Sequence, residues 1–516
     1  MTDTSTAGPR VDDDVDRLIG ARAGLFVGGA WIGRAASGRT FPVTDPATGR
    51  TLAELPDGGP AETRAAVEAA ERARPGWAAT TALERSALLR AVAQRLRADT
   101  ERLARLITLE QGKPLAESRG EVLYSASFFD WFAEESRRVQ GGVVPAPSRT
   151  KRILVTRRPT GIAAAITPWN FPAAAAARKL AAALAAGCPM IVKPSEVTPL
   201  TALALARIIE ECGFPPGVVS VVTGADPAAV TAPLMDDFRV RVLSFTGSRP
   251  VGELLMRQAA ATVKRVTMEL GGHAPFIVFA DADLSAAVDG ALASKMRNMG
   301  QTCVCANRLY VHEDVADEFQ EALRARLAAM RVGNGLDDGV EIGPLVDARA
   351  VAKAGAHVAD AVAAGATVVL DGGPVPGTAG HFFRPVLLRG VDDTMLIARE
   401  ETFGPVTPIM TFRTEDEVVA RANATEFGLA AYCYTNDVGR AFRLVDRLEF
   451  GIIGLNDGIV STTEGPFGGV KGSGFGREGG SAGIEEFLDP VYVSIGNVEA
   501  AAPPPHHPIT QEDDRA

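Results

Sequence analysis

Cysteine is scarce in this chain: five in 516 residues, at positions 188, 212, 303, 305 and 433. Their irregular spacing excludes a disulfide framework, and a reducing cytoplasm is the expected compartment. Long apolar runs are missing too. The most apolar stretch, FPAAAAARKLAAALAAG (171–187), is interrupted by Arg178 and Lys179. It is too short and too alanine-rich to span a bilayer, and it predicts a soluble helix ending at Gly187. The opening residues, MTDTSTAGPRVDDDVDR, lack a basic end followed by an apolar run, so no secretory signal is expected. Positive charge is not in excess either. The 53 Lys and Arg stand against 63 Asp and Glu, a formal net charge of −10 with both signs interspersed. That argues for solubility, with neither nucleic acid nor membrane as partner. No short solenoid-type repeat is present. The pair His506–His507 sits in a Pro-rich, polar tail, AAPPPHHPITQEDDRA (501–516), which reads as a disordered end rather than a metal site.

What is present is globular: 46% hydrophobic and 22% charged residues, in a chain long enough for two or three domains. Residues 62–110 carry helical periodicity, as in Leu88, Val92, Leu96, Leu103 and Leu106. From about 153 short apolar runs alternate with helical segments: ILVTRRP, GIAAAIT, the alanine-rich helix, MIVK, a helix over 200–212, VVSVV and VRVLSFT. A second series follows 268, with FIVF, a helix over 283–297, RLYVH and a helix over 315–330. Strands alternating with helices at this spacing predict an α/β fold of two doubly wound parallel-sheet domains, the first ending near 268. Segments near 140–158 and 484–496 fit neither core and read as extended arms that pair between subunits.

Chemistry could sit at several turns. In FTGSRPVGELL (245–255) a turn follows a predicted strand and opens a helix, where Gly247 would let backbone N–H groups approach a pyrophosphate. An ordinary βα turn is the plainer reading of that stretch alone. KPSE (193–196) ends the strand MIVK, placing Lys193 and Glu196 at the carboxyl edge where open sheets bind ligands; a solvated charged turn is the alternative. ELGG (269–272) sets a carboxylate before two glycines, either a general base or a turn carboxylate. GQTCVC (300–305) offers Cys303 as a nucleophile and Cys305 as its redox partner or as a small packing residue. A disulfide between them requires the loop to bend.

Taken in order, PWNFP (168–172), KPSE, FTGS (245–248), ELGG, GQTC, ETFGP (401–405) and PFGGVKGSG (466–474) strongly resemble the motifs of the aldehyde dehydrogenase superfamily, over about residues 25 to 496. The finer resemblance, carried by SKMRNMGQTCVCANR and NDGIVSTTEGPFGGVKGSGFGREGG, is to the succinate-semialdehyde dehydrogenases. The resemblance implies an N-terminal extension over 1–24, a nucleotide-binding domain from 25–139 and 159–268, a catalytic domain over 269–480, and an oligomerisation arm from 140–158 and 481–500. It implies Cys303 as nucleophile, Glu269 as base and Asn170 as oxyanion donor. As cofactor contacts it implies Trp169, Lys193, Ser195, Glu196, Gly247, Ser248, Leu270, Glu401 and Phe403. Arg178, Arg297 and Ser461 match residues that hold a substrate carboxylate, with structural ion pairs as the alternative for the two arginines.

The expected function is therefore NAD(P)-dependent oxidation of a short carboxylated aldehyde through a cysteine thioester, with succinate semialdehyde foremost. Glutarate semialdehyde, sulfolactaldehyde and simple aliphatic aldehydes are the alternatives within the class. A Cys303–His273 hydrolase or acyltransferase is the alternative outside it, and a catalytically silent protein on this fold is a third. NAD is expected over NADP, because Glu196 would accept both ribose hydroxyls and repel a 2′-phosphate, while Ser195 with a rotated Glu196 would admit NADP. No metal is expected, and a homotetramer or homodimer is.

Overall fold

Alternation of short buried strands with helices is what builds the two sheets. The computed structural model describes residues 13–19 and 24–498. The tail 501–516 with its two histidines, and most of the 1–24 extension, lie outside the described residues. The first sheet has a parallel core of Ile162–Ile166, Met190–Lys193, Val219–Val221, Val240–Thr246 and Arg265–Glu269. The first four are largely apolar runs, as strands covered on both faces require. The second sheet runs parallel through Val386–Arg389, Val406–Phe412, Ala306–His312, Ala274–Val278, Ala430–Tyr434 and Ile452–Leu455, with an antiparallel edge at Thr367–Leu370.

The helices that matter for the site follow from local sequence. Pro172–Ala186 is buried along its whole length, which only a run of alanines lets so many neighbours approach, and Gly187 ends it at φ +91°. Its first N–H groups are satisfied from another helix: Glu121 accepts from Ala173 (2.9 Å) and Ala174 (3.2 Å). Glu110 does the same for Leu200–Glu211, accepting from the backbone of Leu200 (2.8 Å) and Thr201 (2.9 Å).

Three features depart from the sequence reading. Residues 153–159, read both as the head of the first βα series and as part of an extended arm over 140–158, leave that series and form the strand Arg152–Pro159. That strand pairs with Gly142–Val144 and Leu488–Ile495 in a separate three-stranded sheet. Two short strands near the start, Leu25–Val27 and Ala30–Ile32, extend the first sheet antiparallel. Finally, the glycine-rich stretch Gly474–Phe475 crosses back to pair with Met268 and Glu269, so the chain beyond 269 does not stay with the second sheet. Gly474 has φ +112°, and a Cβ there would lie 1.8 Å from the Met268 carbonyl oxygen; only glycine allows this approach.

Among the described residues, no helix is long and apolar enough to cross a membrane.

Candidate active site

The carboxyl edge of the first sheet faces the segment that precedes the strand Ala306–His312. Asn170 follows Ile162–Ile166, Gly247 follows Val240–Thr246, and Glu269 ends Arg265–Glu269, so three adjacent parallel strands deliver three site residues to one edge. Opposite them stands Cys303, half-buried and a free thiol. Two cavities meet at it, and a third adjoins the second.

The first, about 340 Å³, is lined by Trp169, Asn170, Gly247, Ser248, Glu269, Leu270, Cys303, Glu401 and Phe403, together with Arg349 and Lys353. The second, about 50 Å³, has Cys303 and Asn170 in its wall with Tyr124, Phe171, Arg178, Arg297, Thr302, Ser461 and Phe467. The third, about 610 Å³, shares Tyr124, Phe171, Arg297 and Ser461 with the second and adds Glu117, Arg326 and Glu341. Cys303 is thus reached from two sides, a wide cleft on one and a narrow aromatic throat on the other.

Polar groups around the sulfur are unevenly satisfied. Glu269 is buried, and neither of its carboxylate oxygens has a hydrogen-bond partner. Burial, then the nearby Glu478 carboxylate, raise its proton affinity well above the ordinary carboxylate value. Asn170 donates from Nδ2 to the Gln301 carbonyl (2.9 Å), which leaves its second N–H uncommitted. The Asn170 carbonyl accepts from Lys113 Nζ (2.8 Å) and Asn298 Nδ2 (2.9 Å). Burial pushes the Cys303 thiol up to about 12, with the Arg178 guanidinium pulling the other way. It also pushes Glu401 up to about 7, although Glu401 accepts the Gly272 N–H at 3.2 Å.

The two arginines have different surroundings. Arg178 is buried in an ion pair with Glu478, which also pairs with Lys179, and its guanidinium lies over the Phe467 ring at 4.4 Å. Glu478 pairs with Arg178 Nε, the structural ion pair that is the alternative reading, while Arg178 keeps its place in the wall of the narrow throat beside Cys303, Arg297 and Ser461. Arg297 lies over the Phe171 ring at 4.9 Å and has no carboxylate within ion-pairing distance among the described residues. Ser461 shares its two cavities. Cys305 is fully buried, with its sulfur 3.7 Å from the Lys295 carbonyl oxygen, and is not joined to Cys303.

Lys193, Ser195 and Glu196 stand outside these cavities; Lys193 is buried, with Nζ 2.9 Å from Glu196 Oε2. Sequence reading gave no role to Glu478, Tyr124 or Asn298. Glu478 meets Lys179 across 299 residues of chain, a separation no local pattern encodes. His273, the candidate partner of a hydrolase cysteine, is fully buried and absent from all three cavity walls, and burial lowers its proton affinity well below the ordinary value.

A dinucleotide fits the larger cleft by the groups it would meet. The helix Arg249–Ala260 starts at its wall, and Ser248 caps it without a side-chain hydrogen bond, leaving first-turn N–H groups for a phosphate. A Cβ at Gly247 would lie 2.5 Å from the Phe245 ring, so the backbone there stays bare. Phe403, at φ +57°, meets the Trp169 ring edge-on at 5.5 Å, a strained residue held in place at the cleft. Among the described residues, no group of three or more His, Cys, Asp or Glu is placed to hold a metal ion.

Comparison with known proteins agrees with this geometry. The profile of the aldehyde dehydrogenase family matches residues 31–493. A glutarate-semialdehyde dehydrogenase of Pseudomonas aeruginosa is 50% identical, over 92% of this chain and 98% of its own. The succinate-semialdehyde dehydrogenase [NADP(+)] GabD of Escherichia coli K12 is 51% identical over 92% of this chain and 98% of its own. The crystal structure of a succinate-semialdehyde dehydrogenase from Burkholderia pseudomallei superposes with a TM-score of 0.90 at 52% identity, covering 92% of this chain and 98% of that one.

Proposed function

The chain belongs to the aldehyde dehydrogenase family, and we propose that it oxidises succinate semialdehyde to succinate, with glutarate semialdehyde as the next substrate in preference. The observation that carries this reading is Arg297, a cation without a carboxylate partner among the described residues, in the wall of the narrow throat that ends at Cys303. A carboxylate at the far end of a short aldehyde would find a forked, charge-assisted partner there, with the Ser461 hydroxyl beside it. Sulfolactaldehyde presents a sulfonate to the same groups, and simple aliphatic aldehydes present nothing.

In this reading the Cys303 thiol first gives its proton to solvent through the cleft; the thiolate then adds to the aldehyde carbon, and the carbonyl electron pair moves onto oxygen. The uncommitted N–H of Asn170 Nδ2 receives that oxyanion, which it can do without rearranging because its other N–H is already anchored. A nicotinamide cofactor, when bound, supplies the acceptor for the hydride that leaves the same carbon. Cys303 is then a thioester. Glu269, with both oxygens free and a raised proton affinity, takes a proton from the water that attacks it, and the acid leaves as the sulfur is restored. Glu401, Trp169, Leu270 and Phe403 line the cleft, where Glu401 would hold a nicotinamide ribose and the other three would enclose the ring.

The family uses NAD(P), and we propose NAD as the preferred form. Glu196, held by Lys193, supports this: a carboxylate accepts ribose hydroxyls and repels a 2′-phosphate. Lys193 and Ser195 lie beside it in the same turn. The three-stranded sheet supports assembly of copies into a homodimer or homotetramer, because Val143 and Val144 on its edge strand are 75% and 43% exposed. The scarce, irregularly spaced cysteines support a cytoplasmic placement.

The test is a panel of succinate semialdehyde, glutarate semialdehyde and butanal with NAD and with NADP, followed by absorbance of the reduced cofactor. A kcat/KM highest for succinate semialdehyde with NAD is expected. Butanal as the best substrate would remove the carboxylate reading, and NADP as the better cofactor would remove the role given to Glu196.

A further inference from the structure

Asn298, Met299 and Gly300 have φ of +50°, +56° and +75°, three consecutive residues in the left-handed region immediately before Gln301-Thr302-Cys303. Side-chain-bearing residues rarely adopt it, and the first two are fully buried, so the surroundings must impose it. Asn298 shows how. Its N–H donates to Glu117 Oε2 at 2.7 Å, and its carbonyl accepts from Gln301 N at 2.9 Å and Gln301 Nε2 at 3.3 Å. Its Nδ2 donates both protons, one to the Asn170 carbonyl at 2.9 Å and one to the Gln301 carbonyl at 3.1 Å. The same Gln301 carbonyl accepts from Asn170 Nδ2 at 2.9 Å.

We infer that Asn298 is a positioning residue that fixes the carboxamide of Asn170 relative to Cys303; the inference rests on the oxyanion role given to Asn170 above. Among the described residues, two side-chain bonds tie Asn170 to the segment carrying Cys303. One comes from Asn298 to the Asn170 carbonyl, and the other runs from Asn170 to a carbonyl that Asn298 also holds. Asn170 belongs to the first sheet's edge, and Cys303 precedes a strand of the second. The Asn298 carboxamide therefore joins the two halves of the site at the point where their relative placement sets the reaction geometry. Gln301 is itself fastened to the second half, because its Oε1 accepts the Val346 N–H at 2.9 Å. Without the Asn298 Nδ2, the Asn170 carbonyl keeps only Lys113, and the free N–H of Asn170 loses its aim at the developing oxyanion.

The test is a double-mutant cycle on the first-turnover hydride-transfer rate, using Asn298→Ala, Asn170→Ala and the pair. Asn298→Gly repeats it should the alanine variant not fold, since glycine takes the left-handed backbone without strain. Asn170→Ala is expected to slow the first turnover roughly 10²–10³-fold, as removal of one oxyanion donor does. Asn298→Ala should slow it roughly tenfold or more through misplacement, with KM nearly unchanged. In the pair the second effect should vanish, leaving a rate within about twofold of Asn170→Ala. Alkylation of Cys303 by iodoacetamide should stay within about twofold of the parent, because the nucleophile itself is not the target. Effects that multiply in the pair, or alkylation slowed as much as hydride transfer, would overturn the inference while leaving the role of Asn170 standing. An Asn170→Ala enzyme with an unslowed first turnover would instead overturn the oxyanion role, and the inference with it.

Discussion

Arg178 and Arg297 carry the same side chain and meet different fates. Among the described residues Arg297 has no ion-pair partner in the throat, so if it holds the substrate as proposed, losing it should remove one charge-assisted contact, about 1.5–3 kcal/mol, or roughly ten- to a hundredfold in kcat/KM for succinate semialdehyde. Butanal should be nearly indifferent to Arg297→Ala. Arg178→Ala should behave otherwise, because it leaves the buried Glu478 with only Lys179 and the Ser244 hydroxyl. Breaking a buried pair costs about 3–5 kcal/mol, so both substrates and the melting temperature should suffer together. Steady-state kinetics on the two substrates beside a melting curve separates the cases, and a carboxylate-selective loss in Arg178→Ala would reverse the assignment. The sequence alone could not divide the arginines. Their motif positions are local, whereas Glu478 arrives from a distant glycine-rich loop. Cys303, Glu269 and Asn170 were legible because each sits in a short motif at a strand end or turn, and the fold brings all three to one cavity. Tyr124 and Asn298 were not, since their meaning lies in contacts across the two sheets.

At the scale of elements, strands were legible where a short apolar run is bounded by turn residues, as in Met190–Lys193 and Val240–Thr246, which match the runs MIVK and VRVLSFT. The return strand Gly474–Phe475 was not, because two residues carry no period and its partner is two hundred positions earlier. Cross-helix capping was equally hidden. Glu110 holds the start of Leu200–Glu211 through both oxygens, and burial pushes its carboxyl up to about 7 from an ordinary 4.5. A raised folded value means that the native state binds the proton more tightly. This contribution to stability is complete below the unfolded value and is lost as pH rises through about 7. Glu110→Gln should therefore lower stability by about 1–3 kcal/mol, since an amide nitrogen faces a backbone donor, and flatten that part of the pH dependence. Denaturant unfolding at pH values spanning this window checks both. An unchanged midpoint and slope would mean that the helix start needs no carboxylate.

For the whole molecule, the three-stranded sheet stands apart from both doubly wound sheets and exposes a β edge. From Ser136 to Pro159 the chain has no Asp or Glu but carries Arg137, Arg138, Arg149, Lys151, Arg152, Arg157 and Arg158, in a protein of net charge −10. A basic arm on an acidic body suits a second copy of the same chain. Val143→Asp should weaken that assembly by placing a carboxylate on the exposed edge, and sedimentation should show smaller particles with the fold intact. Particles of unchanged size would place the contact elsewhere.

The central claim is that oxidation passes through a thioester on Cys303 cleared by Glu269. Its most direct test is to mix Glu269→Gln with NAD and succinate semialdehyde, digest the protein after one turnover, and weigh the Cys303 peptide. The account predicts about one reduced cofactor per site and a succinyl group retained on Cys303, because no base activates the water that would release it. Continued fast turnover with an unmodified Cys303 peptide would contradict it.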